Sequence, residues 1–490
     1  VKDFLPRRAT FIALLFFAAT QPIAAAQTTE TPPPNIMIVL CDDLGYGDIG
    51  CYGHDVIKTP HLDKFAKQSL KLTDCYAAAP NCSPARTGLM TGRTPSRVGV
   101  YSWIPFLSPM HVRETEITIA HRLKDAEYET CQVGKWHLNG WFNLPGQPQP
   151  NDMGFDHWFA TQNNALPNHR NPYNFVRNGI PAGPLEGYAS HLVTDEAINW
   201  LDHRDEKKPF FMYVCYHEPH EPIATDAEYA AMYGNGDNPS LEAHHGNITQ
   251  MDTAFGRLMK KLETLNVEEN TLVIFTSDNG PAMTRIHPHG STDGLRKYKG
   301  HLYEGGIRVP GLVRWPGHVK PGTTSDVPVS ALDFLPTLCE VAGTTPPSDR
   351  VLDGTSVLPV FHGKNVTREK PLYWQFNYAK SDPRVVIRDG DWKLLSKLDL
   401  NDQGNLTDIT DQQMEQFKTA KLQGFELYNL KKDRNETTDL SKTNPQQLNK
   451  MVAAMTKIYT EVQQEAPIWP AWTWPRYEGQ RIEWPPYRGK

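Results

Sequence analysis

The sequence predicts an α/β protein: a large, mostly parallel or mixed sheet flanked by helices, followed by a smaller C-terminal domain containing an antiparallel sheet. Three observations predict it. Strand-length runs without regular polar alternation recur at 35–41, 129–133, 209–216 and 270–276, as expected for strands covered on both faces. Helical or loop segments separate them, which suits a sheet built from crossovers. From about residue 368 the pattern changes to short alternating runs at 372–376, 384–388, 392–395 and 426–429, the signature of antiparallel pairing.

Taken in order, the chain opens with Arg7 and Arg8, an apolar run at 11–19 and the small residues Ala24, Ala25 and Ala26. That is the layout of a secretory signal, expected over 1–26, with a periplasmic or extracellular destination and no membrane span in the mature chain. The run is too short for a span, which needs roughly 20 apolar residues. The large domain is expected over 27–367 and the smaller over 368–490. Charge and cysteine usage narrow the class. A net charge of -6 argues against a general nucleic-acid binder. The 7 cysteines form no CxxC pair, so a structural zinc is not expected, and the odd number leaves one thiol over.

Each of the four strand-like runs ends in a polar cluster: Asp42-Asp43-Leu44-Gly45, Gly134-Lys135-Trp136-His137, His217-Glu218-Pro219-His220 and Ser277-Asp278-Asn279-Gly280. Open α/β sheets bind ligands outside the carboxyl ends of their strands. The clusters are therefore expected to converge. Between them, helices are expected at 61–69, 116–125, 190–203 and 247–265, and 143–187 reads as a long polar loop suited to shaping a pocket. A strand at 311–315 and a helix at 330–342 close the large domain. A helix at 446–464 follows the C-terminal strands. The tail carrying Trp469, Trp472, Trp474 and Trp484 is expected to pack across the large domain rather than to serve as platforms for a sugar.

The stretch 81–93, Asn-Cys-Ser-Pro-Ala-Arg-Thr-Gly-Leu-Met-Thr-Gly-Arg, places Cys82 at a helix start with Pro84 in the first turn. Such a start presents unpaired N–H groups and favours an anion. Around it the converging strand ends bring Asp42, Asp43, Asp278 and Asn279, an oxygen set suited to a hard cation, calcium rather than zinc. They also bring the cations Arg86, Lys135 and Lys299 and the proton carriers His137 and His220. A metal and several cations in a net-negative protein describe a site for a small charged oxyanion ester.

These residues carry a resemblance. Cys82-Ser83-Pro84-Ala85-Arg86, with Thr91-Gly92-Arg93, Asp42 to Gly47, Gly134-Lys135-Trp136-His137, Pro219-His220-Glu221-Pro222, Ser277-Asp278-Asn279-Gly280 and Lys299-Gly300 before Tyr303-Glu304-Gly305-Gly306, resembles the formylglycine-dependent sulfatases of the alkaline phosphatase superfamily. The likeness runs from residue 35 to about 440. It implies that a maturation enzyme oxidises Cys82 to formylglycine, whose hydrated aldehyde is the nucleophile and a ligand of one Ca2+ with Asp42, Asp43, Asp278 and Asn279. It implies further that Arg86 and Lys135 hold the formylglycine, and that Lys135, His220 and Lys299 hold the sulfate. His220 or Lys299 protonates the leaving alcohol, and His137 takes the proton that releases sulfate. Ala85 and Met90 depart mildly from the usual signature and bear on how fully Cys82 is converted.

The expected substrate is a sulfated carbohydrate, with Trp103, His169, Arg170, His287 and Arg296 as rim residues. Two other readings stay open. One is a phosphomonoesterase or phosphonate monoester hydrolase on the same scaffold; the other is a sulfated-glycan binding protein without turnover. A cysteine phosphate loop is disfavoured, because only three residues separate Cys82 from Arg86 where such a loop needs five.

Overall fold

The computed structural model describes residues 32–400 and 406–485, together with 1–3, 5 and 6. Two compact units are distinguished, Val1–Pro32 and Pro33–Lys490. Most of the signal expected at 1–26 lies outside the described residues. Among the described residues no helix is long and apolar enough to cross a membrane.

The core of the second unit is a ten-stranded sheet. Its five central strands, in spatial order Thr271–Ser277, Asn35–Cys41, Phe210–Cys215, Glu129–Lys135 and His157–Thr161, are all parallel. Gly311–Arg314 adds an antiparallel strand beside Thr271–Ser277, and short strands extend both edges. The sheet is therefore mixed around a parallel centre. Successive side chains of a strand face opposite sides. Ile36, Ile38 and Leu40 accordingly join one core and Met37, Val39 and Cys41 the other. On the first side they meet Leu89 and Met90 of the Cys82 helix and Leu335 and Leu338 of Phe334–Val341. On the second they meet Val193 and Ala197 of Ala189–His203 and Met251, Phe255 and Leu258 of Pro239–Thr264. Both faces are dry, which is why the strands carry no polar alternation.

Register aligns the carboxyl ends. Cys41 pairs with Ser277, Leu40 with Cys215, Gly134 with Cys215, and Lys135 with Thr161. The polar clusters that follow these strands thus leave the sheet along one edge. Gly134 is indispensable to this arrangement: at φ +98, a Cβ there would sit 1.9 Å from the carbonyl oxygen of Cys215.

The segment 143–187 is more ordered than its sequence suggests. It contributes the buried strand His157–Thr161 and the short pairs Val176–Arg177 and Ile180–Pro181. The strand is short and flanked by Asn, Asp and Gly, so periodicity does not reveal it. Likewise the helix expected from 247 starts at Pro239, capped by the Asn238 side chain, which accepts from the Leu241 N–H.

A second sheet of four antiparallel strands follows: Leu372–Gln375, Val385–Asp389, Trp392–Leu398 and Leu422–Asn429. The helix Pro445–Glu465 covers one face through Met451, Met455 and Val462. The other face packs on Tyr76, Leu302, Tyr303 and Ile307. A buried ion network crosses this contact. Lys393 Nζ lies 2.8 Å from Glu304 and 2.8 Å from Glu436, Arg308 lies 3.1 Å from Glu304, and Arg388 lies 2.6 Å from Asp74. Burial alone would raise the Glu304 carboxyl, but Lys393, Arg308 and Arg388 override it and hold it at about 2.

Replacing Lys393 by Met should therefore cost about 3–5 kcal/mol in denaturant unfolding, because it strands buried charge. A carboxyl with a depressed folded pKa adds stability above its unfolded value and loses it as pH falls toward the folded one. Wild-type stability should accordingly erode from about pH 4.5 toward pH 2, with a shallower slope in Lys393→Met.

Candidate active site

Cys82 is the first residue of the helix Cys82–Thr91, with Asn81 extended at the N-cap and Gly92 left-handed at the end. Pro84 fits the first turn, where a backbone donor has no intrahelical acceptor. Ser83 Oγ accepts from the Ile104 N–H at 3.0 Å and ties the helix start to the loop carrying Trp103. The whole helix is buried.

The strand ends converge on this point. Arg86 donates from Nε and Nη2 to Asp278 Oδ2 at 3.0 and 2.8 Å, and from Nη1 to the Lys135 carbonyl at 3.2 Å. Lys135 Nζ donates to Asp42 Oδ2 at 2.5 Å. Lys299 Nζ lies 2.6 Å from Asp43 Oδ1 and 3.3 Å from Cys82 Sγ. Asn279 Nδ2 donates to Asp43 Oδ1 at 2.7 Å. His220 Nε2 is 3.7 Å from Asp43 Oδ2, and His137 Nε2 contacts the Ile104 carbonyl at 3.1 Å.

Buried charges must be paired. Burial would raise the Asp42 carboxyl, yet Lys135, His220, Arg86 and Lys299 hold it well below the carboxylate range. Asp278 is pushed up to about 7 by burial and by neighbouring Asp42, against the pull of Arg86. Burial pushes the Cys82 thiol up to about 11, despite Lys135 and Lys299. Burial thus disfavours the thiolate form of the unmodified residue. His137 is held well below the usual imidazole range by burial, Lys135 and Arg86.

Three buried oxygens, Asp42 Oδ1, Asp43 Oδ2 and Asn279 Oδ1, have no hydrogen-bond donor among the described residues. Ligand atoms of Asp42, Asp43, Cys82 and His220 all lie within 4.8 Å of one another. Unsatisfied buried carboxylate and amide oxygens are a cost that a hard cation removes, so the residues fit a divalent metal. Asp278 lies at the same cluster, where Oδ2 accepts from Arg86 and Oδ1 accepts from the Asp43 N–H at 3.2 Å.

A cavity of about 320 Å³ opens over Cys82, with Trp103, His137, His220, Lys299 and Lys380 in its wall. The other rim expectations give way. His169 is buried 4.0 Å from Glu218, and Arg170 lies over the Tyr188 ring at 6.0 Å. His287 Nδ1 packs against the Ser240 carbonyl at 3.3 Å. Arg296 lies 3.8 Å over the Tyr303 ring and donates to Tyr428 Oη and the Glu436 carbonyl. None of the four lines this cavity: His169 and His287 are buried elsewhere, Arg170 is exposed beside Tyr188, and Arg296 is held by Tyr303, Tyr428 and Glu436. Lys380, which sequence reasoning missed, reaches the wall from the C-terminal region: its N–H donates to the Gly300 carbonyl at 2.8 Å, and its stem packs over Gly300. Nothing in its local sequence distinguishes it from a solvated lysine.

The expected packing of the tail is observed. Trp469 Nε1 donates to the Gly99 carbonyl at 2.7 Å, and the Trp474 ring meets Trp103 edge-on at 5.9 Å. All seven cysteines are free.

Comparison with known proteins agrees with this arrangement. Residues 34–344 match the sulfatase family model, and 296–421 match the model of the N-sulphoglucosamine sulphohydrolase C-terminal region. Human arylsulfatase A is 33% identical over 397 residues, covering 75% of this chain and 76% of its own. N-acetylgalactosamine-6-sulfatase of Canis lupus familiaris is 31% identical over 415 residues, covering 79% and 75%. Among solved structures, Ps i-CgsB in complex with k-i-k-neocarrahexaose superposes with a TM-score of 0.77 at 30% identity, covering 92% of this chain and 96% of that one. The phosphonate monoester hydrolase of Agrobacterium radiobacter, at 19% identity and a TM-score of 0.58 over 88% of this chain and 96% of its own, shares the fold. With its signature cysteine at the convergence of these strand ends, the chain belongs to the sulfatase family.

Proposed function

We propose that this sulfatase removes sulfate from a sulfated carbohydrate, using formylglycine made from Cys82 and a bound calcium ion. The observation that carries the reading is the position of Cys82. A buried thiol stands 3.3 Å from Lys299 Nζ, beside carboxylate and amide oxygens that lack donors among the described residues. A thiol there is a poor nucleophile, whereas its oxidised form would supply an oxygen nucleophile toward sulfur. Calcium, held by Asp42, Asp43, Asp278, Asn279 and residue 82, would supply positive charge where negative charge gathers.

The remaining work falls to the protein's own groups. Lys135, Lys299 and His220 hold the sulfate oxygens, and the charge of the two lysines offsets what develops during transfer. Arg86 grips Asp278 with two nitrogens, and with Lys135 it holds residue 82 in place. His220 Nε2 or Lys299 Nζ delivers a proton to the leaving alcohol. His137 donates Nε2–H to the Ile104 carbonyl and keeps an unpartnered Nδ1 lone pair. That nitrogen is the base that accepts the proton given up as sulfate departs and residue 82 returns to its resting state. The carbohydrate assignment is supported by the names of the relatives, which include an N-acetylgalactosamine-6-sulfatase, and by the hexaose in the Ps i-CgsB complex. Export is proposed on the Arg7-Arg8 start and the apolar run at 11–19.

Protein from its native host should carry an aldehyde at residue 82, detected by hydrazide labelling and peptide mass spectrometry, and Cys82→Ala should lower aryl sulfate turnover by at least about 10³-fold with an unchanged melting curve. An intact thiol in fully active protein would refute the nucleophile assignment. Chelation with EGTA should abolish turnover, and calcium should restore it better than zinc or magnesium. Across a panel of sulfated mono- and oligosaccharides at least one should be desulfated faster than its phosphate counterpart; activity confined to aryl esters, or a preference for phosphate, sinks the carbohydrate or the sulfatase assignment respectively.

A further inference from the structure

A second cavity, of about 290 Å³, adjoins the one at Cys82, and Trp103, Asn163 and Asn164 line both. Its chemistry is different. The cavity at Cys82 presents Lys299, Lys380 and His220, whereas the second is walled by the rings of Trp103, Phe106 and Trp474 and by side-chain amides. Among the described residues lining it only Arg481 is charged, and that guanidinium lies over the Phe106 ring at 5.7 Å.

The amides divide into two groups. Gln162 donates to the carbonyls of Ile104 and Asn139, and Asn174 is tied to the backbone of Leu166 and Asn164. The side chains of Asn143, Asn163 and Asn164 make no hydrogen bond among the described residues, and Asn163 Oδ1 is buried without a partner. Flat aromatic faces beside unpaired amides suit a ligand with C–H faces and hydroxyl edges. A purely apolar ligand would leave the amides unsatisfied, and an anionic one would find no cation but Arg481.

The wall built by the tail is fixed in place. Trp472 and Ile409 exchange backbone hydrogen bonds of 2.8 Å, the Trp474 N–H donates to Asp408 Oδ1 at 2.9 Å, and the Glu483 N–H donates to the Pro167 carbonyl at 3.0 Å. Such preorganisation lowers the entropic cost of binding.

We propose that this second cavity binds an uncharged sugar ring joined to the sulfated one, so that the enzyme reads at least two units of its glycan. The proposal rests on the sulfated-carbohydrate reading above and adds which neighbour is recognised and where. Trp474, from the C-terminal tail, is its main specificity determinant.

The test uses hexose and N-acetylhexosamine sulfates, each as a monosaccharide and with one unsulfated hexose attached on either side. Titrated into the non-reacting Cys82→Ala chain, the preferred disaccharide should bind about tenfold tighter than its monosaccharide, the size of one good aromatic contact. Trp474→Ala should erase that difference and Trp474→Phe should keep most of it. In the active enzyme, Trp474→Ala should lower kcat/KM on the disaccharide about tenfold and leave aryl sulfate turnover unchanged. Should Trp474→Ala lower the melting temperature, Asn143→Gly decides instead, since glycine accepts the φ of +55 at that position. Equal binding of mono- and disaccharide by the wild type, or equal losses on disaccharide and aryl sulfate, overturns the second-ring site while the carbohydrate reading stands. Binding of no sulfated sugar, with aryl sulfate still hydrolysed, overturns the carbohydrate reading and this site with it.

Discussion

Asp42, Asp43 and Asp278 bring three carboxylates into a region almost without solvent, and the molecule tolerates them because Arg86 and Lys135 are buried with them and the partly buried Lys299 reaches in from the cavity wall. Neither set is affordable alone: an isolated buried ion forfeits several kcal/mol of hydration. The pairing is also incomplete, since among the described residues Asp42 Oδ1, Asp43 Oδ2 and Asn279 Oδ1 still lack donors. Stability and chemistry thus share one constraint. The charges that balance the fold at this edge are those that the proposed reaction uses around the sulfate.

The parallel register satisfies that constraint. Five adjacent strands end at one level, so residues distant in sequence, such as Asp42 and Asp278, arrive within reach of one guanidinium. The helix of Cys82 packs against one face of the same sheet and directs its first residue into the cluster. The smaller antiparallel sheet does more than cover the edge. Through Lys393, Glu304 and Glu436 it locks against the helical turn Glu304–Ile307, and the loop joining its first two strands delivers Lys380 to the cavity. The tail then continues across the large sheet's loops to Trp103.

Much of this was legible in the sequence. Strands buried on both faces leave unalternated runs, and the runs at 35–41, 209–216 and 270–276 became strands within a residue or two of those bounds. The change to alternating runs near residue 368 marked the second sheet. The strand His157–Thr161 was hidden because its polar flanks read as loop, although tertiary burial gives it the same environment as its neighbours. His169, His287 and Arg296 looked like rim residues because polar side chains in loops are usually solvated. Here packing buries His169 beside Glu218, while Ser240 and the Tyr303–Tyr428 pair engage His287 and Arg296.

By itself the sequence determined the family and its local motifs: the Cys-x-Pro-x-Arg signature, the acidic pair after the first strand and the Asp-Asn after the last are local, and a resemblance can read them residue by residue. Tertiary structure alone decided how the oxygens are shared, with Asp278 turned toward Arg86 and the Asp43 backbone while His220 approaches Asp43. It alone decided that Lys380 lines the cavity and that Trp474 walls a second one beside it. The physical reason is distance along the chain. Cavities are made by side chains that packing brings together from segments hundreds of residues apart, and no local pattern of hydropathy or charge records which of them will meet.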